Sequence, residues 1–438
     1  MPVPYIPNTD SIRKRMLDEI GVAQADDLFR DIPGKYLNAS FSLPQPLSEA
    51  ELKSELRQSA ERNSNLDDFS CFLGAGYYRH FIPGIVSHII DRSEFYTAYT
   101  PYQAEVSQGT LNAIYDYQSL VCQLTGMDVS NAGMYDGSTA AAEAGLMACR
   151  ITGRDKIAVF ASINPRFRTV IATYSGGRDI AVDEFRKGPA GSLQEYACLI
   201  VQQPNYYGYF EDLAGLEKIA HGSGALLVVI VNPISLAMFR PPSDFGADIV
   251  IGEGQSLGIP LNFGGPGLGI FACRREYIRQ MPGRLVGKTV DVDGNPGFVL
   301  TLSTREQHIR RERATSNICT SSALSALAAA VYMLTLGKQG MEQVARLSYN
   351  KAHYAADLLS KIGGYSIMPG QFFNEFVVQC PLPPGRINDL LLKNKIIGGL
   401  DISDNIPNSI LVCVTELNTQ QEIERFAGLL STAKAVAK

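Results

Sequence analysis

What this 438-residue sequence lacks narrows its chemistry early. Between Lys218 and Lys288 there is no lysine, although the interval contains a strand-like run leading into a loop, GADIVIGEGQSLGIP at 246–260. The five histidines, His80, His88, His221, His308 and His353, show no metal-ligand spacing, and no Gly-x-Ser-x-Gly elbow occurs. Zinc chemistry and elbow-type hydrolysis therefore have no support, and isolated core or surface histidines are expected. Eight cysteines are scattered without CxxC or Cys/His spacing, which reads as buried free thiols of a reducing compartment and no structural zinc. The longest apolar run, 225–231, is too short to cross a membrane. The start, MPVPYIPNTD, carries neither a signal-peptide nor a transit-peptide pattern, so a cytoplasmic protein is expected. Positive charge is not in excess: a net charge of -5 and a pI near 5.7 argue against a nucleic-acid partner. The basic run REQHIRRER at 305–313 is the local exception, and its helical spacing with interleaved glutamates predicts a solvated or inter-subunit face rather than an RNA site.

What is present reads as an α/β enzyme. At 45% hydrophobic and 19% charged residues, the chain buries a large core, and its length fits one large domain with smaller appendages. Residues 1–70 are expected to form a helical N-terminal arm: Asp10 opens a helix that Gly21 stops, and Ser48 with Glu51 forms a capping box. From Tyr135 onward, short apolar runs alternate with helical patterns. Strands are expected at 157–160, 199–201 and 226–231, with helices starting at Pro165 and near Leu213. Continuous Val/Ile/Leu strands are buried on both faces, which predicts a mainly parallel sheet with helices on both faces, over 71–335. After a long Ala/Leu helix, strands at 376–378 and 411–414 place a smaller C-terminal α+β domain at 336–438.

Three motifs draw attention. The run NFGGPGLG at 262–269 lacks the Lys-Ser/Thr of a P-loop and leads into the strand-like Ile270, Phe271 and Ala272, so a tight turn is expected. YDGST at 135–139 precedes a helix; Ser138 or Thr139 is the expected cap, and exposed N–H groups at such a start also hold anions such as phosphate. TAYTPYQAEVSQG at 97–109 holds Tyr99, Tyr102 and Gln103 around Pro101, which biases Thr100 towards an extended backbone. Such a loop suits either a pocket that orients substrate through placed hydroxyls or a core turn with buried tyrosines.

These strings, with GADIVIGEGQSLG at 246–258, FGGPGLG at 263–269 and ATSNICT at 314–320, resemble the glycine cleavage system P-protein family, and in particular the first subunit of its split form. The resemblance runs over essentially the whole chain. It implies the aminotransferase-like fold type I of pyridoxal-phosphate enzymes and two kinds of subunit, the second carrying the cofactor lysine. It further implies decarboxylation of glycine, transfer of the aminomethyl group to the lipoyl arm of the H protein, release of carbon dioxide, and an α2β2 heterotetramer.

Against that family, two departures fall on one cofactor. A pyridoxal enzyme needs a lysine for its Schiff base and a carboxylate beside the pyridine nitrogen. Here the lysine position falls on Gln255 or Ser256, and the strand that ends in the carboxylate leads instead to Asn232. A cofactor site lost as a unit is the economical reading, with pyridoxal phosphate bound covalently by the partner subunit and not by this chain. The resemblance then casts Tyr99 and Tyr102 as contacts to glycine or the cofactor across the interface. Thr100, Gln103 and Glu105 would order that loop, and Thr315 and Ser316 would reach the neighbour's cofactor phosphate. Two rivals stand beside it: a catalytically silent regulatory homologue, and a self-sufficient pyridoxal enzyme using another lysine such as Lys288.

Overall fold

The computed structural model describes residues 8–37, 40, 42–186 and 193–433. The outer ends of the expected N-terminal arm and C-terminal domain lie outside these residues. Along the chain two units separate, Met1–Ser64 and Asn65–Lys438. In the first, helix α1 (Asp10–Ile20) ends on Gly21 in the left-handed region, as its sequence predicts. Its cap is Thr9, whose hydroxyl accepts from the Ile12 amide; Asp10 sits inside the first turn, where a carboxylate favours the positive helix end. Helix α2 (Glu49–Ala60) carries the predicted Ser48–Glu51 capping box. Neither helix buries a residue, so Met16, Ile20, Leu52 and Leu56 remain exposed.

The second unit is built on a seven-stranded sheet. In chain order its strands are β1 (Val129–Ser130), β2 (Lys156–Phe160), β3 (Ala181–Phe185), β4 (Cys198–Gln203), β5 (Leu226–Val231), β6 (Ile249–Glu253) and β7 (Gly269–Cys273). They lie side by side as β1-β7-β6-β5-β4-β2-β3, and β7 alone runs antiparallel to its neighbours. All six residues of β5 and all five of β6 are buried, the pattern of strands covered on both faces. Among the helices serving this sheet are α3 (Gln108–Thr125), α4 (Gly137–Thr152), α5 (Pro165–Gly176) and α6 (Leu213–Gly222). Helix α4 lies close because most of its buried positions are small, among them Ala140, Ala141, Ala142, Ala144, Gly145 and Ala148.

Helix α7 (Ala323–Ser360) bends at Gly337, whose φ of 60° and ψ of -176° break the helical path. Beyond it, strands 375–379 and 409–413 pair antiparallel at the centre of a four-stranded sheet. A second apolar cluster, including Phe72, Phe376, Val412 and Phe426, fills that region, separate from the cluster around the large sheet. An antiparallel ribbon, Leu285–Val290 with Pro296–Thr301, packs beside α3. The basic run does not form the continuous helix that its spacing suggests. It breaks into short turns, Ser303–Arg305, Gln307–Arg310 and Arg311–Arg313, around Arg311 at a positive φ of 53°.

Candidate functional site

In open α/β sheets, ligands sit at the carboxyl ends of the strands. There β5 delivers Asn232, β6 delivers Glu253, and the first turn of α4 is aimed at the same place. The sequence at 135–139 puts Asp136, not Ser138 or Thr139, at the cap: its Oδ1 accepts from the Thr139 amide at 2.8 Å. Thr139 returns a bond, its hydroxyl accepting from the Asp136 amide. Asp136 wins because an extended backbone at 136 lets a short carboxylate reach the third amide, whereas Ser138 and Thr139 already belong to the helix.

The other donor at this helix start is also taken from within the chain. The Gly137 amide donates to Glu253 Oε2 at 2.8 Å. Glu253 Oε1 accepts from the amides of Gln255 and Leu268, both at 3.0 Å, and the Tyr77 hydroxyl bonds the same carboxyl group. This approach requires glycine at 137, since a Cβ there would lie 2.8 Å from the Glu253 nitrogen. Burial pushes Glu253 up to about 7, the neighbouring Asp136 charge adds to the rise, and the three backbone amides pull the other way.

Gln255 closes the other side. Its Oε1 accepts from the Tyr78 amide at 2.8 Å, while its Nε2 donates to the carbonyls of Tyr78 at 3.0 Å and Ile259 at 2.8 Å. With 2% of its surface exposed, it is a satisfied core amide. Ser256 is equally buried, and its hydroxyl has no partner. Asn232 turns back on its own chain: Oδ1 accepts from the Ile234 amide at 3.0 Å. Tyr78 carries the network onward, donating from its hydroxyl to Glu375 Oε2 at 2.7 Å, and Glu375 Oε1 accepts from the Ala75 amide. In front of these residues lies a cavity of about 590 Å³, lined among others by Tyr77, Asp136, Ser138, Arg166, Glu253 and Phe263. No lysine lines it, and Lys288 is exposed on the antiparallel ribbon.

The loop singled out in the sequence lies elsewhere. Tyr99 and Tyr102 are 76% and 53% exposed, and Tyr96 and Val106 beside them are 66% and 75% exposed, so the buried-tyrosine reading of this loop is overturned. Thr100 is half-buried, and its carbonyl accepts from the Tyr102 amide at 2.8 Å; Gln103 and Glu105 are exposed. The Tyr102 ring rests 5.6 Å from the Arg284 guanidinium and packs edge-on against His308. Arg284 is fixed in turn by Glu306 at 3.2 Å and by the Cys319 carbonyl at 2.7 Å. Thr315 is half-buried, its amide donating to the Arg305 carbonyl. Ser316 is buried: its hydroxyl accepts from the Ile318 amide and bonds Glu143, whose other oxygen has no partner. The predicted residues thus form an exposed aromatic group and an internal group. The cavity beside Tyr99, which includes Tyr96, Ile114 and Leu327, shares no lining residue with the one in front of Glu253.

Sequence reading missed Glu253, Tyr77, Tyr78 and Glu375. A signal for Glu253 was present, a lone acidic residue closing an otherwise apolar buried strand. Tyr78 and Glu375 meet across 297 residues and give no local signal. All eight cysteines are free, four of them buried as expected, but Cys319 is exposed. His80 and His221 are not isolated: they pair with Glu416 and with Glu217 and Asp248. Among the described residues no cluster of His, Cys, Asp and Glu could hold a metal, and no helix is long and apolar enough to cross a membrane.

The sheet order, the pocket at its carboxyl edge and the smaller antiparallel sheet define the fold type I architecture of pyridoxal-phosphate enzymes. The same fold appears in solved structures of low sequence identity, such as the Lactobacillus brevis glutamate decarboxylase, with a TM-score of 0.66 at 14% identity over 92% of this chain and 96% of that one. The glycine cleavage system P-protein family matches residues 3–430, and the chain belongs to that family. A probable glycine dehydrogenase (decarboxylating) subunit 1 of Thermomicrobium roseum is 50% identical, covering 98% of this chain and all of the relative. The corresponding protein of Desulforamulus reducens is 49% identical over 97% and 99% of the two chains. The crystal structure of a glycine decarboxylase P-protein of the glycine cleavage system, in inhibitor-bound form, superposes with a TM-score of 0.92 at 39% identity, covering 98% and 100%.

Proposed function

We propose that this chain serves as the subunit of glycine decarboxylase, the P-protein of the glycine cleavage system, that holds no cofactor and completes the active site of a lysine-bearing second subunit. Family membership over the whole chain and the subunit 1 naming of its relatives support the role. The single observation that carries the division of labour is a contrast. The polar groups at the back of the chain's own pocket are bonded to one another, whereas Tyr96, Tyr99, Tyr102 and Val106 each expose more than half their surface within residues 96–106.

Pyridoxal phosphate fits this pocket poorly. Gln255 offers an amide already saturated by three bonds, Asn232 is curled onto its own backbone, and the anion place at the start of α4 is filled by Glu253. No step of the reaction is therefore routed through the pocket. In this reading the partner subunit binds pyridoxal phosphate covalently and glycine reacts there. The aminomethyl group passes to the lipoylated H protein, carbon dioxide is released, and the assembly is a cytoplasmic α2β2 heterotetramer. This chain supplies Tyr99 and Tyr102 across the interface, as side chains that contact and orient glycine or the cofactor and exclude water. The Tyr102 ring, seated on Arg284 and His308, is preorganised for that role. Thr100, Gln103 and Glu105 shape the loop, and Thr315 reaches towards the neighbour. Ser316 would do so only by leaving Glu143. The regulatory-homologue reading places the Tyr99 loop away from the partner's pocket.

The reading is tested by mixing the chain with its partner and measuring glycine-dependent carbon dioxide exchange. Tyr99→Phe or Tyr102→Phe is expected to lower exchange by about tenfold or more if its hydroxyl hydrogen-bonds the reacting complex. Unchanged exchange in both variants makes the loop structural and the assignment wrong.

A further inference from the structure

Glu253 does more than fill space. The start of a helix attracts anions through its unpaired N–H groups and its dipole, and a phosphate bound by this architecture at the α4 terminus would use those groups. Here three of the four amides that have no intrahelical partner at the start of α4 are consumed internally: Asp136 by the Thr139 hydroxyl, Gly137 by Glu253, and Thr139 by the Asp136 side chain. Two carboxyl groups from the chain itself therefore stand where an external anion would dock. Glu253 is held there by three backbone amides and the Tyr77 hydroxyl, with 9% of its surface exposed, so it is not free to swing aside.

We infer that Glu253 is a specificity-determining residue, a built-in carboxyl group whose occupation of the α4 start makes this chain's own pocket reject phosphate-bearing ligands, including pyridoxal phosphate, even when an amine is supplied at position 255. The loss of the lysine removes the covalent tether, but Glu253 removes the place for the phosphate. In an assembly containing two related pockets, that residue confines the cofactor to the other one. This inference rests on the reading that the chain is cofactor-free, and it adds a cause that the missing lysine does not supply.

The test uses the full-length chain alone, titrated with pyridoxal phosphate and read by visible absorbance, with borohydride reduction and mass analysis of the chain. Wild type is expected to show no saturable uptake and Gln255→Lys only weak uptake, whereas Glu253→Ala combined with Gln255→Lys binds about tenfold tighter than Gln255→Lys, or better, with inorganic phosphate competing. A second arm leaves Gln255 in place: inorganic phosphate raises the melting temperature of Glu253→Ala but not of wild type. If Glu253→Ala does not fold by circular dichroism, Glu253→Ser, which shortens the side chain and removes the carboxyl group, takes its place in both arms with the same expected direction. Saturable uptake by Gln255→Lys equal to that of the double variant overturns the inference and leaves the cofactor-free reading intact. Failure of the folded double variant to bind, together with no phosphate effect on the single variant, also overturns it. Uptake by wild type overturns the cofactor-free reading itself.

Discussion

At the scale of single residues, Gln255, one of the two positions proposed for the absent lysine, is a structural side chain. Gln255 is as buried as a core leucine yet makes three hydrogen bonds, two of them to the backbone of Tyr78. A buried amide is tolerable only when satisfied, and removing one partner leaves the other groups without solvent. Gln255→Ala strands the Tyr78 amide and carbonyl together with the Ile259 carbonyl, and is expected to cost about 2–3 kcal/mol. A denaturant midpoint that falls with an unchanged m-value checks this; an unaltered midpoint refutes the clasp. The absence of lysine at this place was legible from the sequence, because it needs no geometry. How Gln255 is held was not, because its partner Tyr78 lies 177 residues away in the chain.

At the scale of elements, most of the fold was legible. Apolar runs without alternation marked β2, β4 and β5, and Pro165 marked the start of α5. The readings that failed did so for local reasons. The cap of α4 is expected at Ser138 or Thr139, but both already lie in the helix, and the extended backbone at 136 makes Asp136 the cap. At the basic run, charge spacing suggested a helix, but Arg305 is spent on the carbonyls of Met281, Gly283 and Leu302, and the positive φ at Arg311 breaks the axis. The aromatic loop at 97–109 was recognisable as unusual, yet composition could not say whether its tyrosines faced inward or outward; the 76% exposure of Tyr99 decides that.

At the scale of the whole molecule, two buried glutamates shape the response to pH. Burial pushes both Glu253 and Glu375 up to about 7, whereas an unfolded glutamate releases its proton near 4.5. Between those values the native state binds more protons than the unfolded state, so these groups make stability fall as pH rises from about 4.5 to 7. Glu416 and Glu422, whose carboxyls are held below their usual range, contribute in the opposite sense at lower pH. Glu375→Gln retains an acceptor for the Ala75 amide and removes one titration. It is expected to flatten the decline of melting temperature over that window, and an identical slope in the variant rules out Glu375 as a source.

The same scale holds the central claim, that one subunit carries the cofactor and this one shapes its surroundings. Relatives named as subunit 1 match 98% and 97% of the chain. Its exposed Tyr96, Tyr99, Tyr102 and Val106 and the internal bond from the Gly137 amide to Glu253 make the two halves of the prediction testable together. The most direct measurement is borohydride reduction of the assembled complex of both subunits, followed by peptide mapping of the trapped pyridoxyl group. The account predicts label on a lysine of the partner subunit and none on this chain. Label on any lysine of this chain, Lys288 included, contradicts it.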